Sequence, residues 1–132
     1  MPNTLIAESV FKAEVVSLIL SKDAEKALEI LSQRYKVVRP RLKVGMPKRY
    51  SKKLACYAAK KQTIHISHRE ILHNPHVILH EFYHHLRNIT DAQEGIEKYA
   101  DKFAQDYLKA YRIMGASNDA LSLKKSNNIL KK

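Results

Sequence analysis

Cysteine is almost absent from this sequence. Cys56 is the only one, so no disulfide can form within the chain, and a reducing compartment is the natural expectation. Tryptophan is missing, glycine occurs three times and proline four times. Collagen-like and Gly/Pro-rich low-complexity chains are thereby excluded. There is no long hydrophobic run either: the longest, Val15 to Leu20, is broken by Ser17 and is far too short to span a bilayer. The opening Met1-Pro2-Asn3-Thr4 lacks the basic start of a signal peptide. These absences together point to a soluble, cytoplasmic protein without a membrane partner. What is present is ordinary for one globular core: 132 residues, 45% of them hydrophobic and 28% charged. The expected division is a single domain over residues 1–116 and a basic tail over 117–132, which either docks as a short helix or frays.

Acidic residues are missing from one long interval. None occurs between Glu29 and Glu70, where twelve lysines and arginines lie, while the rest of the chain carries twelve cations against thirteen acids. One segment thus supplies the whole net charge of +11. Within it Lys48, Arg49, Lys52 and Lys53, close to Tyr50 and Tyr57, are candidate contacts for nucleic acid or an acidic partner.

Apolar spacing predicts a helix from residue 5 to about 20, and a second one behind Ser21 as N-cap, with Ala24, Ala27, Leu28 and Leu31 on one face as far as Arg34. Tyr35–Arg39 reads as β-like and stops at Pro40. Gly45, Pro47 and the polar run to Lys53 read as a loop. Leu54–Ala58 and Thr63–Ser67 flank Lys60-Lys61-Gln62 as a hairpin, with Ile64 and Ile66 on one face. Asn74-Pro75 is a strong helix start for a segment running to about Asn88. Thr90 or Asp91 can cap a last helix, Thr90 and Gln93 having capping-box spacing, and Gly115 is its expected end. The fold class is α+β: N-terminal helices, a small antiparallel sheet with a hairpin, then two helices.

The sharpest chemical feature is His80-Glu81-Phe82-Tyr83-His84, an HExxH sequence on one of those helices. A spacing of four puts both imidazoles on one face, one turn apart, where they can share a metal ion. Glu81 is turned about 100° from His80, so its carboxylate can reach a water on the metal without ligating the ion. Catalytic zinc takes three protein ligands and leaves a fourth position open. The next helix offers Glu94, Glu97 and Asp101 as the third. Glu97 can face the first helix, Asp101 can orient a ligand histidine, and Glu94 suits a helix N-terminal charge. Donors to a developing oxyanion can come from Tyr57, Tyr99, Tyr107 or His85. His85 points away from His84 and reads as a supporting or surface group, and His65 and His68 can border a cleft. His76, one turn before His80, would place three ligands along one helix, which suits a tetrahedral ion poorly. Cys56 reads as a small core residue.

His80-Glu81-x-x-His84 followed by Glu97-x-x-Ala100-Asp101-x-Phe103-Ala104 resembles the ImmA/IrrE-type zinc metallopeptidases, a compact gluzincin-like group. The resemblance extends over about residues 21–112, and Tyr57, Ile64, Ile66 and Ser67 look like that family's hairpin and edge strand. It implies a minimal zincin-like domain that binds Zn2+ through His80, His84 and Glu97, with Glu81 as general base. It also implies a peptide or protein substrate, since several members cleave DNA-binding repressors. SprT-like proteins share the motif but take a later His as ligand, and no His follows His85 here. The expected function is therefore a zinc-dependent metallopeptidase, with Thr63–Ser67 aligning an extended substrate by β-addition and a DNA-associated regulatory protein as possible substrate. The alternative is a basic nucleic-acid-binding protein with a structural or vestigial metal site.

Overall fold

The computed structural model describes the backbone of residues 2–91 and 96–130 and the side chains of residues 6–90 and 96–115. Four helices and three strands follow in the order α1 (Pro2–Leu20), α2 (Ala24–Tyr35), β1 (Arg41–Val44), β2 (Ala55–Ala58), β3 (Thr63–Ile66), α3 (Pro75–Asp91) and α4 (Glu97–Leu130). Short 3-10 turns occupy Lys48–Tyr50 and Arg69–His73. The class is α+β as expected. Among the described residues no helix is long and apolar enough to cross a membrane.

One core joins all these layers. Val15, Val16 and Ile19 of α1, Leu28 and Leu31 of α2, Ile64 and Ile66 of β3, Ile78, Leu79 and Phe82 of α3, and Tyr107 of α4 are all buried in it. An aromatic group forms its centre: the Phe82 ring lies 6.0 Å from Tyr35 and 6.4 Å from Phe103, which in turn lies 4.9 Å from Tyr107. Stacked and tilted rings at these separations add to simple area burial. The group clamps α4 against α3.

Several boundaries differ from the sequence expectation, each for a physical reason. Asp23, not Ser21, caps α2 by accepting from the Lys26 N–H at 3.2 Å, while Ser21 still donates its own N–H to Ser17 O at 2.9 Å. Tyr35–Arg39 is not a strand. The Tyr35 hydroxyl is 2.7 Å from that of Tyr107, which keeps Tyr35 in the last turn of α2, and Lys36 ends the helix at φ 57°. Pro40 has no N–H to give, so the ladder starts with Arg41, whose N–H reaches Gln62 O at 2.9 Å.

The sheet is mixed rather than antiparallel. β2 and β3 form the expected antiparallel hairpin, with Ala58 opposite Thr63, but β1 pairs with β3 in parallel, Arg41 opposite Thr63. Gly45, at φ +122°, turns the chain out of β1, and the following loop carries it across to the far side of β3. The order β1-β3-β2 therefore makes β3 central and leaves β2 at the edge. At the other end, α4 does not stop at Gly115; it continues to Leu130, so the backbone of residues 117–130 of the expected tail is the end of that helix. Thr90 lies inside α3 and donates to Leu86 O at 2.8 Å instead of capping α4; Gln93 is outside the described residues.

Phe82 is fully buried and touches rings from two other elements, Tyr35 of α2 and Phe103 of α4, so Phe82→Ala should cost about 3–5 kcal/mol of unfolding free energy, read from urea denaturation. A loss below about 1 kcal/mol would show that the aromatic group does not carry the core.

Candidate metal centre

Asn74 opens α3 by accepting the Val77 N–H on Oδ1 at 3.2 Å, and Pro75 takes the first helical position, where an N–H is not needed. Ile78, Leu79 and Phe82 then bury one side of the helix. His80, Glu81 and His84 consequently lie towards α4 and the β2 edge. The rings of His80 and His84 stand 5.1 Å apart, as the spacing of four requires.

The first turn of α4 brings Glu97 to both of them. Its Oε2 lies 3.0 Å from His80 Nε2, and its Oε1 lies 2.6 Å from His84 Nε2. One turn later, Asp101 Oδ1 sits 2.8 Å from His80 Nδ1. His76 Nε2 approaches the same oxygen at 3.3 Å. His76, His80 and Asp101 thus form a second group whose ligand atoms lie within 4.8 Å of one another, sharing His80 with the group of His84 and Glu97. The hydrogen bond from His80 holds the Asp101 carboxyl below its ordinary range.

The protons around His80 decide what this cluster can hold. If Nδ1–H donates to Asp101, a neutral His80 presents the lone pair of Nε2 to a carboxylate oxygen. The 2.6 Å contact of His84 is off the hydrogen-bond direction, so its buried Nε2 has no hydrogen-bond partner. A buried imidazole nitrogen without a hydrogen-bond partner, next to a carboxylate and a second imidazole, is a polar atom that a cation would satisfy. Zinc bonds of about 2.0–2.1 Å in a tetrahedron place ligand atoms about 3.3 Å apart. The ligand atoms of His80, His84 and Glu97 all lie within 4.8 Å of one another. This donor set, two imidazoles and a carboxylate, could hold a metal ion and suits zinc.

Glu81 stands beside the cluster and does not belong to it. It is only 9% exposed, and burial pushes its carboxyl up to about 7 against the pull of His80. It opens, with His84 and Glu97, onto a cleft of about 380 Å3 whose other wall is Tyr50, Lys53 and the β2 edge from Ala55 to Tyr57. Asn88, one turn past His84, also lines it and was not singled out from the sequence, although the same spacing of four would have placed it there.

The remaining expected site residues separate clearly. Lys53 reaches the cleft, 5.2 Å over the Tyr50 ring, whereas Lys48, Arg49 and Lys52 are exposed outside it. Cys56 is a cleft-wall residue rather than a core one, and burial raises its thiol pKa. His85 is fully buried and is neither a surface group nor an oxyanion donor. Tyr107 is also buried, against Tyr35. Tyr99 is half exposed and, like His65 and His68, does not line the cleft. Glu94 lies outside the described residues. Thr63–Ser67 cannot receive a further strand, because β3 already has a neighbour on each side; β1 and β2 are the edge strands, and β2 is the one that lines the cleft.

Compared with known family models, curated proteins and solved structures, the chain matches none.

Burial of Glu81 has a measurable consequence in metal-free protein. Between pH 4.5 and about 7 the folded chain retains a proton that the unfolded chain has lost, so stability falls as pH rises through that window. The difference corresponds to roughly 3 kcal/mol. In the presence of chelator, Glu81→Gln should match the wild type near pH 4.5 and exceed it at pH 8, by urea unfolding. An equal gap at both pH values would contradict the raised carboxyl.

Proposed function

We propose that this chain is a zinc-dependent metallopeptidase of minimal zincin-like build, with His80, His84 and Glu97 as ligands and Glu81 as general base. The observation that carries the reading is the convergence of three ligand atoms beside a buried carboxylic acid, in a cleft bounded by an open strand edge. A zinc ion held there supplies Lewis acidity, polarising a peptide carbonyl and making water more acidic.

The chain's own groups supply the rest. Asp101 orients His80 through Nδ1, which points Nε2 at the ligand position and makes the imidazole a better donor. Glu81 has a proton affinity near neutrality, which suits a group that takes a proton from the attacking water and passes it to the leaving amine. Extended substrate adds to the outer edge of β2, where backbone hydrogen bonds hold it beside the ligands irrespective of sequence. Lys53 on the cleft wall, with Lys48, Arg49 and Lys52 exposed nearby, favours a substrate that is acidic or carried on nucleic acid, such as a DNA-associated regulator. The likeness of His80–His84 and Glu97–Ala104 to ImmA/IrrE-type peptidases supports the same reading.

Purified protein should bind one equivalent of zinc. His84→Ala should lose it, and Asp101→Ala should weaken it about 10–100-fold. Glu81→Gln should keep zinc but lose cleavage of a mixed peptide library by at least about 100-fold. Stoichiometric zinc absent from wild type, or full cleavage by Glu81→Gln, would overturn the assignment.

A further inference from the structure

His85, expected as a supporting or surface group, is fully buried, and both ring nitrogens are engaged. Its Nε2 lies 2.6 Å from the carbonyl oxygen of Val38. A carbonyl only accepts, so Nε2 carries the hydrogen. No carboxylate contacts the ring among the described residues, and with Nε2–H turned to Val38 a neutral imidazole presents Nδ1 as an acceptor. The Tyr57 hydroxyl, 2.7 Å from Nδ1, must donate to it. Having given its only hydrogen, the Tyr57 oxygen can still accept, and it does so from Asn88 Nδ2 at 3.3 Å. Asn88, Tyr57, His85 and Val38 thus form one continuous hydrogen-bonded chain, with the Asn88 carboxamide donating at its outer end.

Two consequences follow for the cleft. Tyr57 lines it but has no hydrogen left to offer a substrate. Asn88 lines it with one N–H on the Tyr57 oxygen, and its other N–H and its Oδ1 have no partner among the described residues. One donor and one acceptor on a planar amide match the N–H and C=O of a peptide backbone.

Position along the helix says where. Asn88 is four residues after His84, about 6 Å along α3. An extended peptide advances about 3.3 Å per residue. The groove between α3 and β2 would lay a peptide alongside the helix, and the bond between Asn88 and Tyr57 joins its two walls.

We infer that Asn88 is a substrate-binding residue whose carboxamide grips the backbone of an extended peptide about two residues from the cleaved bond, oriented by Tyr57 and His85. The inference rests on the metallopeptidase reading and adds to it a subsite that recognises backbone rather than a side chain.

The test uses full-length, zinc-loaded protein and calorimetric titration with acetohydroxamate and two alanine peptide series. One series carries the hydroxamate at the C-terminus and the other at the N-terminus, with one to four alanines in each. In wild type, affinity in one series should rise about tenfold on adding the second residue, the size of one good hydrogen bond. Asn88→Ala should lose that step while binding acetohydroxamate and zinc as wild type does. Asn88→Leu, which fills the same space without polar atoms, should do the same and serves where the Ala variant fails to fold. Tyr57→Phe should shrink the step without changing acetohydroxamate binding. A step that survives in the Asn88 variants, or is absent from wild type that binds acetohydroxamate, overturns the inference alone. Wild type that binds neither zinc nor acetohydroxamate overturns the metallopeptidase reading and the inference with it.

Discussion

One carboxylate, at the very start of α4, has to meet two imidazoles in the middle of α3. Glu97 is largely exposed and sits where a helix is least restrained, so its own turn cannot hold it there. The restraint comes from the turns behind it. Ala100 and Ala104 are small and fully buried, letting α4 approach closely, and Phe103 and Tyr107 lock into the rings of Phe82 and Tyr35. The hydroxyl pair of Tyr35 and Tyr107 ties α2 into the same group. Core packing and site geometry are thus one problem, because the ring that anchors α4, Phe82, lies within the HExxH sequence.

The second half of the site is set by the sheet. Putting β3 in the centre buries Ile64 and Ile66 beneath α3 and moves β2 outward, where its open edge faces Glu81 and His84 across the cleft. His85 then fastens α3 to the segment before β1 through Val38 and to β2 through Tyr57. The residue next to a proposed ligand therefore does structural work, holding the cleft wall at a fixed distance from the helix.

What could be read from the chain was local. The Asn74-Pro75 start, the His80–His84 face and the hairpin between Ala58 and Thr63 each depend on residues a few positions apart, and the structure contains all three. The pairing of Glu97 with that face could be anticipated because two amphipathic helices in succession pack their apolar sides together. What could not be read depends on distant partners. The end of α2 at Tyr35 requires Tyr107, 72 residues away, and the burial of His85 requires Val38, 47 residues away. The parallel pairing of β1 had no local signal, since a loop of ordinary polarity can lead to either side of a hairpin. Asn88 was overlooked for a different reason: an asparagine near the end of a helix usually reads as a terminal residue, and only Tyr57 gives it a direction.

The central claim is the identity of the ligand set, and X-ray absorption at the zinc edge tests it most directly. Zinc-reconstituted protein should show two imidazole nitrogens and carboxylate or water oxygens at about 2.0–2.2 Å, with no sulfur, and one imidazole contribution should disappear in His84→Ala. A sulfur neighbour at about 2.3 Å would bring Cys56 into the site, and an unchanged spectrum in His84→Ala would remove His84 from it. Either result would contradict the account.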